Sequence, residues 1–344
     1  MALFVLTAGL ALHASLGQPR WQARVPVSTM RSGAVTMSGT DLPRTPKALV
    51  DQLRGAVQTA LQSRQSRMRV SLPPGFDYGI ESQRKGKPVS NPVVRSDREL
   101  ARLFTEMFQG TGLVPTVCFP TVEDASAASK LWGDIEVRTV ALDPGAVGGG
   151  VVVAAKPVKP TGAKPRAAGG GGFGAAPLPK GATKAPASKV PDGAEVVFVV
   201  SPGPAQCDAV ERFCSQHGLD RLVVLLNPRS LEEAPPADAD EKTAELAAAT
   251  GAGLASEAQR AYFCAEFVDV YAFQTNPAGQ TEEPAVLFKR SAAEPWSFVS
   301  KPKIGPPRQL LWSDTRPSVA AMFAAIDAKK GEGLMGALGS LLKG

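Results

Sequence analysis

Four candidate strands of this 344-residue chain end in proline turns, and the polar residues at those turns have the chemistry to hold a ligand. The turns are Leu72-Pro73-Pro74-Gly75, Phe119-Pro120-Thr121, Ser201-Pro202-Gly203-Pro204 and Leu226-Asn227-Pro228-Arg229. In a parallel α/β sheet the C-terminal strand ends share one rim, and ligands bind there. Proline fixes φ and rigidifies such a rim, although it also serves simply to end a strand. An amide beside a guanidinium, as in Asn227 and Arg229, can grip a carboxylate or a phosphate. Ser201 and Gly203 stand just ahead of an expected helix N-terminus, where backbone N–H groups favour an anion. Pro120, Ser201, Gly203, Asn227 and Arg229 are therefore candidate ligand- or partner-binding residues.

A catalytic constellation is harder to assemble. The histidines are His13 and His217 alone, so a histidine-dependent triad would rest on His217. The cysteines, Cys118, Cys207, Cys214 and Cys264, form no CxxC pair, so neither a zinc site nor another cofactor is expected. Cys207 and Cys214 share an expected helix at ~10 Å along its axis, too far to bridge. The thiols read as reduced and mostly buried. Gly169–Gly174 fits the GxGxxG spacing, but a Lys/Pro tract precedes it and no helix follows, so it does not read as a dinucleotide site. P-loop, GxSxG, HExxH and EF-hand patterns are missing. Glu232-Glu233 and Glu282-Glu283 fall on expected loops as solvated surface. Arg64, Arg67 and Arg69 read as a solvated helix end, with an anion-binding patch as the sharper alternative.

The elements that must position these residues alternate between helix and strand. Thr45-Pro46 opens a helix whose apolar face is Leu49, Leu53, Val57, Ala60 and Leu61. Met68–Leu72 is a short strand. Ser96-Asp97-Arg98-Glu99 has the form of a capping box, and Leu100, Leu103, Phe104, Met107 and Phe108 follow at helical spacing. Val114–Phe119 and Ile135–Leu142 are strands flanking a helix over Glu123–Trp132. Glu195–Val200 and Arg221–Leu226 are continuous apolar runs of the kind buried on both faces. Between them Pro204–His217 is a helix. Residues 231–254 are acidic and Ala-rich, a second low-complexity insertion or a loose helix. Ala258–Phe267 is helical, and Val268–Gln274, Ala285–Lys289, Ser297–Val299 and Leu310–Trp312 are strands. Arg316-Pro317-Ser318 opens a last helix. The expected fold is an α/β three-layer sandwich with a mixed, mostly parallel sheet and an antiparallel edge.

Charge divides the chain further. The net charge is +6, yet residues 1–40 carry three arginines and no acid, and 144–190 carry seven Lys/Arg and no acid. The remainder is mildly acidic at −4. Residues 144–192 hold too little apolar surface to offset their ordering entropy and read as a disordered Gly/Pro/Lys-rich insertion. It divides the α/β domain into 41–143 and 193–330. The insertion has no aromatic interleaving, so a nucleic-acid partner is not expected. Residues 1–40 join an apolar stretch, Ala2–Leu12, to an acid-free Arg/Ser/Thr segment, as in the bipartite presequence of algae with secondary plastids. Residues 331–344 place Leu334, Met335, Leu338, Leu341 and Leu342 on one side, a glycine-rich tail suited to peripheral membrane or partner contact.

The order of short motifs carries a family resemblance. A Pro-opened helix from Pro46 is followed by Phe119-Pro120, Trp132, Ser201-Pro202 and Leu225-Leu226-Asn227-Pro228-Arg229, then Phe267 and Tyr271, Pro295-Trp296 and Arg316-Pro317-Ser318. This series resembles the plastid and cyanobacterial domain of unknown function found in low-photosystem-II-accumulation proteins. A similar domain forms the C-terminal part of a chloroplast adenylate kinase. The resemblance implies a plastid protein, stromal or at the thylakoid surface, that aids photosystem II assembly or upkeep without catalysis. Its partners would be photosystem or thylakoid assembly proteins. Trp296 and Arg316, from the same series, join the candidate binding residues. The alternative reading is a regulatory domain that binds a nucleotide or phosphate ligand at the proline rim.

Overall fold

The computed structural model describes residues 42–80, 91–142, 152–154, 190–235, 237, 241–277, 284–302 and 306–328. The expected presequence, the tail, Glu282-Glu283 and most of the 144–192 insertion lie outside these residues. The described chain begins with helix α1 (Pro46–Gln62), strand β1 (Arg67–Ser71), α2 (Pro92–Met107), β2 (Thr116–Phe119), α3 (Val122–Leu131), β3 (Arg138–Ala141) and β4 (Val152–Ala154). It continues with β5 (Val196–Val200), α4 (Pro204–His217), β6 (Leu222–Leu226), α5 (Glu241–Thr250), α6 (Glu257–Glu266), β7 (Val268–Thr275), β8 (Ala285–Lys289), β9 (Trp296–Ser300), β10 (Arg308–Ser313) and a helix α7 from 319.

The ten strands form one sheet in the order β10-β9-β8-β7-β1-β6-β5-β2-β3-β4. The centre, from β7 to β3, is parallel, and both margins are antiparallel. β5 and β6 are buried at every position, which their Val/Leu/Phe runs require of a sheet covered on both sides. Each such side chain contributes roughly 1.5–3 kcal/mol by leaving water.

Helix capping fixes the entries. Thr45 Oγ1 accepts from Ala48 N at 3.1 Å with Pro46 in the first turn. The expected capping box at Ser96 is corrected: α2 starts a turn earlier, at Asn91-Pro92. Asn91 Oδ1 accepts from Val93 N at 2.9 Å, and Ser96 to Glu99 lie inside the helix and buried. The Ala-rich stretch within 231–254 contains the helix α5, and the 144–192 insertion contributes β4, hydrogen-bonded to β3.

The two sides of the sheet differ. On one, α1, α2 and α3 pack a continuous core from Leu49 through Phe104, Phe198 and Trp132 to Phe288. On the other, α4 and α6 cover one cluster and α7 covers a second. Between those clusters β1 presents Arg67, Arg69 and Ser71, all buried. Of the arginine trio, Arg64 is exposed just past the end of α1, as a solvated helix end would be, whereas Arg67 and Arg69 are buried in β1. Arg67 donates to the carbonyls of Arg221 and Gly218, and Arg69 Nη2 donates to Asp269 Oδ2 at 2.6 Å.

Among the described residues no helix is long and apolar enough to cross a membrane.

Candidate functional site: the strand-end rim

The direction in which each connection leaves the sheet decides where this fold opens. The helices after β1 and β2 lie on the α1–α3 side, and those after β5 and β6 lie on the other. Neighbouring strands β1 and β6 therefore send their connections to opposite sides, and so do β5 and β2. Crevices outside the carboxyl ends of strands form at such switch points. Both switch points are hollow here. A cleft of about 450 Å³ lies beyond β1, β6 and β7, and a smaller hollow of about 160 Å³ lies beyond β5 and β2. The first is within the size range of small-molecule sites.

Between them the rim closes on itself. Arg229 grips Asp97 with two bonds, Nη1 to Oδ2 at 2.7 Å and Nη2 to Oδ1 at 2.6 Å. Asn227 Nδ2 donates to the same Oδ1 at 2.7 Å, and Arg229 Nη1 also reaches Ser201 Oγ at 2.7 Å. The carboxylate that the amide and guanidinium hold is thus the protein's own. Asn227 Oδ1 accepts from Leu72 N at 2.7 Å, which ties β6 to the end of β1. Arg229, Asn227 and Asp97 are all buried. Asp97 raises the affinity of the Arg229 guanidinium for its proton against the opposing effect of burial. Ser201 and Asn227 both have positive φ, 44° and 51°, immediately before a proline. Asn tolerates this region and Ser less so, at a cost of roughly 1–3 kcal/mol. Ser201 N to Leu226 O and Asn227 N to Val70 O, each 2.7 Å, hold the two residues there.

Pro120 sits at the end of β2, where its carbonyl accepts from Gln206 Nε2 at 3.3 Å. It lines the smaller hollow with Ser201 and Arg229. Gly203 is the N-cap residue of α4 and has no side-chain cap bond. Trp296 and Arg316 stand apart from this group. Arg316 lies 5.3 Å from the Trp296 ring, with Lys289 at 5.5 Å from the same ring. Arg316 Nη2 also donates to Gln274 Oε1 at 2.8 Å, on the wall of the larger cleft.

Other members of the rim were not visible as site residues in the sequence. Glu232 is no solvated loop carboxylate: Gln274 Nε2 donates to it, and Arg316 lies 3.8 Å away. Burial pushes its carboxyl above the usual glutamate value, outweighing Arg316 and Arg229. Glu233 Oε2 accepts from Val319 N at 2.7 Å and so caps α7. Asp97 did leave a signal. It falls three residues before Leu100 and seven before Phe104, on the apolar stripe of α2, where a charge needs a buried partner.

His217 and three of the cysteines line neither hollow, whereas Cys264 lines the larger cleft, where its Sγ accepts from Arg69 Nη1 at 3.3 Å. His217 ends α4, roughly 21 Å from that helix's rim end, its ring tilted against Phe213 with centroids 4.6 Å apart. All four cysteines are free. Burial pushes the Cys118 thiol up to about 12 and the Cys207 and Cys214 thiols up to about 11, whereas Cys264 is exposed. Among the described residues no group of three or more His, Cys, Asp or Glu could hold a metal ion.

A family profile, a domain of unknown function termed DUF1995, matches residues 43–322. The chain belongs to the DUF1995 family. That match takes in both halves of the sheet, the closed rim and the cleft, so the DUF1995 domain is the whole described fold up to Met322. No curated protein and no solved structure matches the chain.

Proposed function

We propose that this DUF1995 protein is a non-enzymatic binding module of the plastid, an accessory factor for the assembly or upkeep of photosystem II. The motif order shared with low-photosystem-II-accumulation proteins supports the biological setting, as does the presequence-like character of residues 1–40. The observation that carries the binding-module reading is the closed rim. Where a parallel α/β enzyme presents reactive groups, Asp97, Asn227, Arg229 and Ser201 are bonded to one another. Such a knot rigidifies the strand ends and presents the surface around them in one shape. Its partners are photosystem or thylakoid assembly proteins. The cationic 144–190 segment and the apolar tail supply additional contact, the tail to a membrane surface.

Crosslinking and pull-down from isolated plastids tests this, using the full chain and a form lacking residues 145–190. The expected result is recovery of photosystem II subunits or their assembly proteins. Recovery of stromal nucleic acid, with no thylakoid protein, would overturn it.

A further inference from the structure

The larger cleft has a composition that selects among ligands. About half of its wall is aliphatic or proline, from residues such as Leu72, Leu231, Leu246 and Met322, and among the described residues it holds no aromatic ring. A nucleobase would find no stacking platform there. The cationic side of the wall, among the described residues, is four guanidinium groups, of Arg69, Arg229, Arg260 and Arg316. Three already face carboxylates: Arg69 bonds Asp269 at 2.6 Å, Arg229 bonds Asp97, and Arg316 stands 3.8 Å from Glu232. Arg260 differs. Its one bond among the described residues is from Nη1 to the Ala255 carbonyl at 3.0 Å, and no carboxylate of those residues pairs with it. The acids of the cleft do not compete strongly for it. Glu232 is held by Gln274 and Arg316, Glu233 caps α7, and Glu257 is exposed in the first turn of α6.

We propose that this cleft binds a compact aliphatic acid, its carboxylate or phosphate head held by Arg260 with Arg316 beside it and its apolar body laid against the Leu72, Leu246 and Met322 wall. The geometry matches the general form of a ligand site, an apolar hollow with a few convergent polar groups at a switch point of the sheet. A guanidinium that no carboxylate of the described residues occupies keeps N–H groups free to bond an oxyanion. Helix α5 supplies Leu246 and Thr250 to one wall and is otherwise mostly exposed. Gly251 and Gly253 follow it, at φ 67° and 74°, and Gly253 lies so close to Ala234 that a Cβ would sit 2.6 Å from its Cα. That contact fixes where α5 stands over the cleft. The proposal is independent of the photosystem reading, since it concerns a small ligand and needs no partner protein.

Titration calorimetry and thermal shift of the full chain test it with octanoate, octyl phosphate, octanol, inorganic phosphate and AMP. Saturable binding of octanoate or octyl phosphate is expected, at least about tenfold tighter than octanol. Arg260→Ala should weaken that binding about tenfold or more, whereas Arg54→Ala, outside the cleft, should leave it unchanged. Leu246→Glu at a half-exposed position gives a second variant, and it should also lose the acid while retaining the fold. The proposal is overturned if neither acid binds, if octanol binds as well as octanoate, if Arg260→Ala binds like the parent, or if AMP alone binds.

Discussion

Arg229 belongs to two neighbouring regions that use the same residue types in opposite ways. On one side lies the knot of Asp97, Asn227, Arg229 and Ser201, where each charge is buried and the carboxylate accepts three bonds. On the other lies the cleft, where among the described residues the Arg260 side chain keeps only a backbone contact and Glu232 holds its proton more tightly than an exposed glutamate would. The difference shows why residue type alone is a poor guide to a site. A buried ion pair with every bond made is scaffold, because removing a partner costs desolvation that nothing returns. A cation with no opposing acid is available to something that arrives from solution.

The largest expected effect comes from opening the knot. Asp97→Ala leaves Arg229 buried without its acid and should lower the unfolding free energy by about 3–5 kcal/mol, read from urea denaturation. The double change Asp97→Leu with Arg229→Met should recover most of that loss, because it removes both charges together. If the double variant is as unstable as the single one, the knot is more than a mutually neutralising pair.

Asn227 comes next. Asn227→Ala loses the bonds to Asp97 and Leu72 and puts an alanine at φ 51°, and should cost about 2–3 kcal/mol. Asn227→Gly loses the same bonds without the backbone strain and should be about 1 kcal/mol less damaging. Equal losses for the two would show that conformation contributes nothing there.

How much of this was legible depended on whether the information was local. α4 and β8 match their sequence spans residue for residue, because a Pro-opened apolar face and a short apolar run are complete within their own segments. The strand-end position of Asn227 and Arg229 was legible for the same reason. Their partner was not, since Asp97 lies 130 residues before Asn227, inside a helix whose start was misplaced by one turn. Ser96-Asp97-Arg98-Glu99 fits a capping box by type, but Asn91-Pro92 caps the helix and moves all four residues into the interior. Glu232 likewise looked solvated until β7 and the approach to α7 brought Gln274 and Arg316 to it.

Smaller effects distinguish the cleft. Since folded Glu232 binds its proton more tightly than the unfolded chain does, stability should fall as pH rises from the usual glutamate value toward the raised one. Below that window its contribution should be constant. Glu232→Gln should flatten this part of a stability profile measured by chemical denaturation across pH. The smallest change belongs to Arg260→Ala, which should stay within about 0.5 kcal/mol of the parent, as expected of a half-buried group whose side chain makes a single backbone bond among the described residues. A loss comparable with that of Asp97→Ala would place Arg260 in the scaffold and erase the contrast between the two regions.

The contrast is most directly tested by nitrogen-detected NMR of the arginine side chains, with octanoate added to the full chain. The Nε signals of Arg260 and Arg316 are predicted to shift progressively to saturation, while those of Arg229 and Arg69 stay in place. A titration that moves Arg229 and leaves Arg260 unchanged would contradict it.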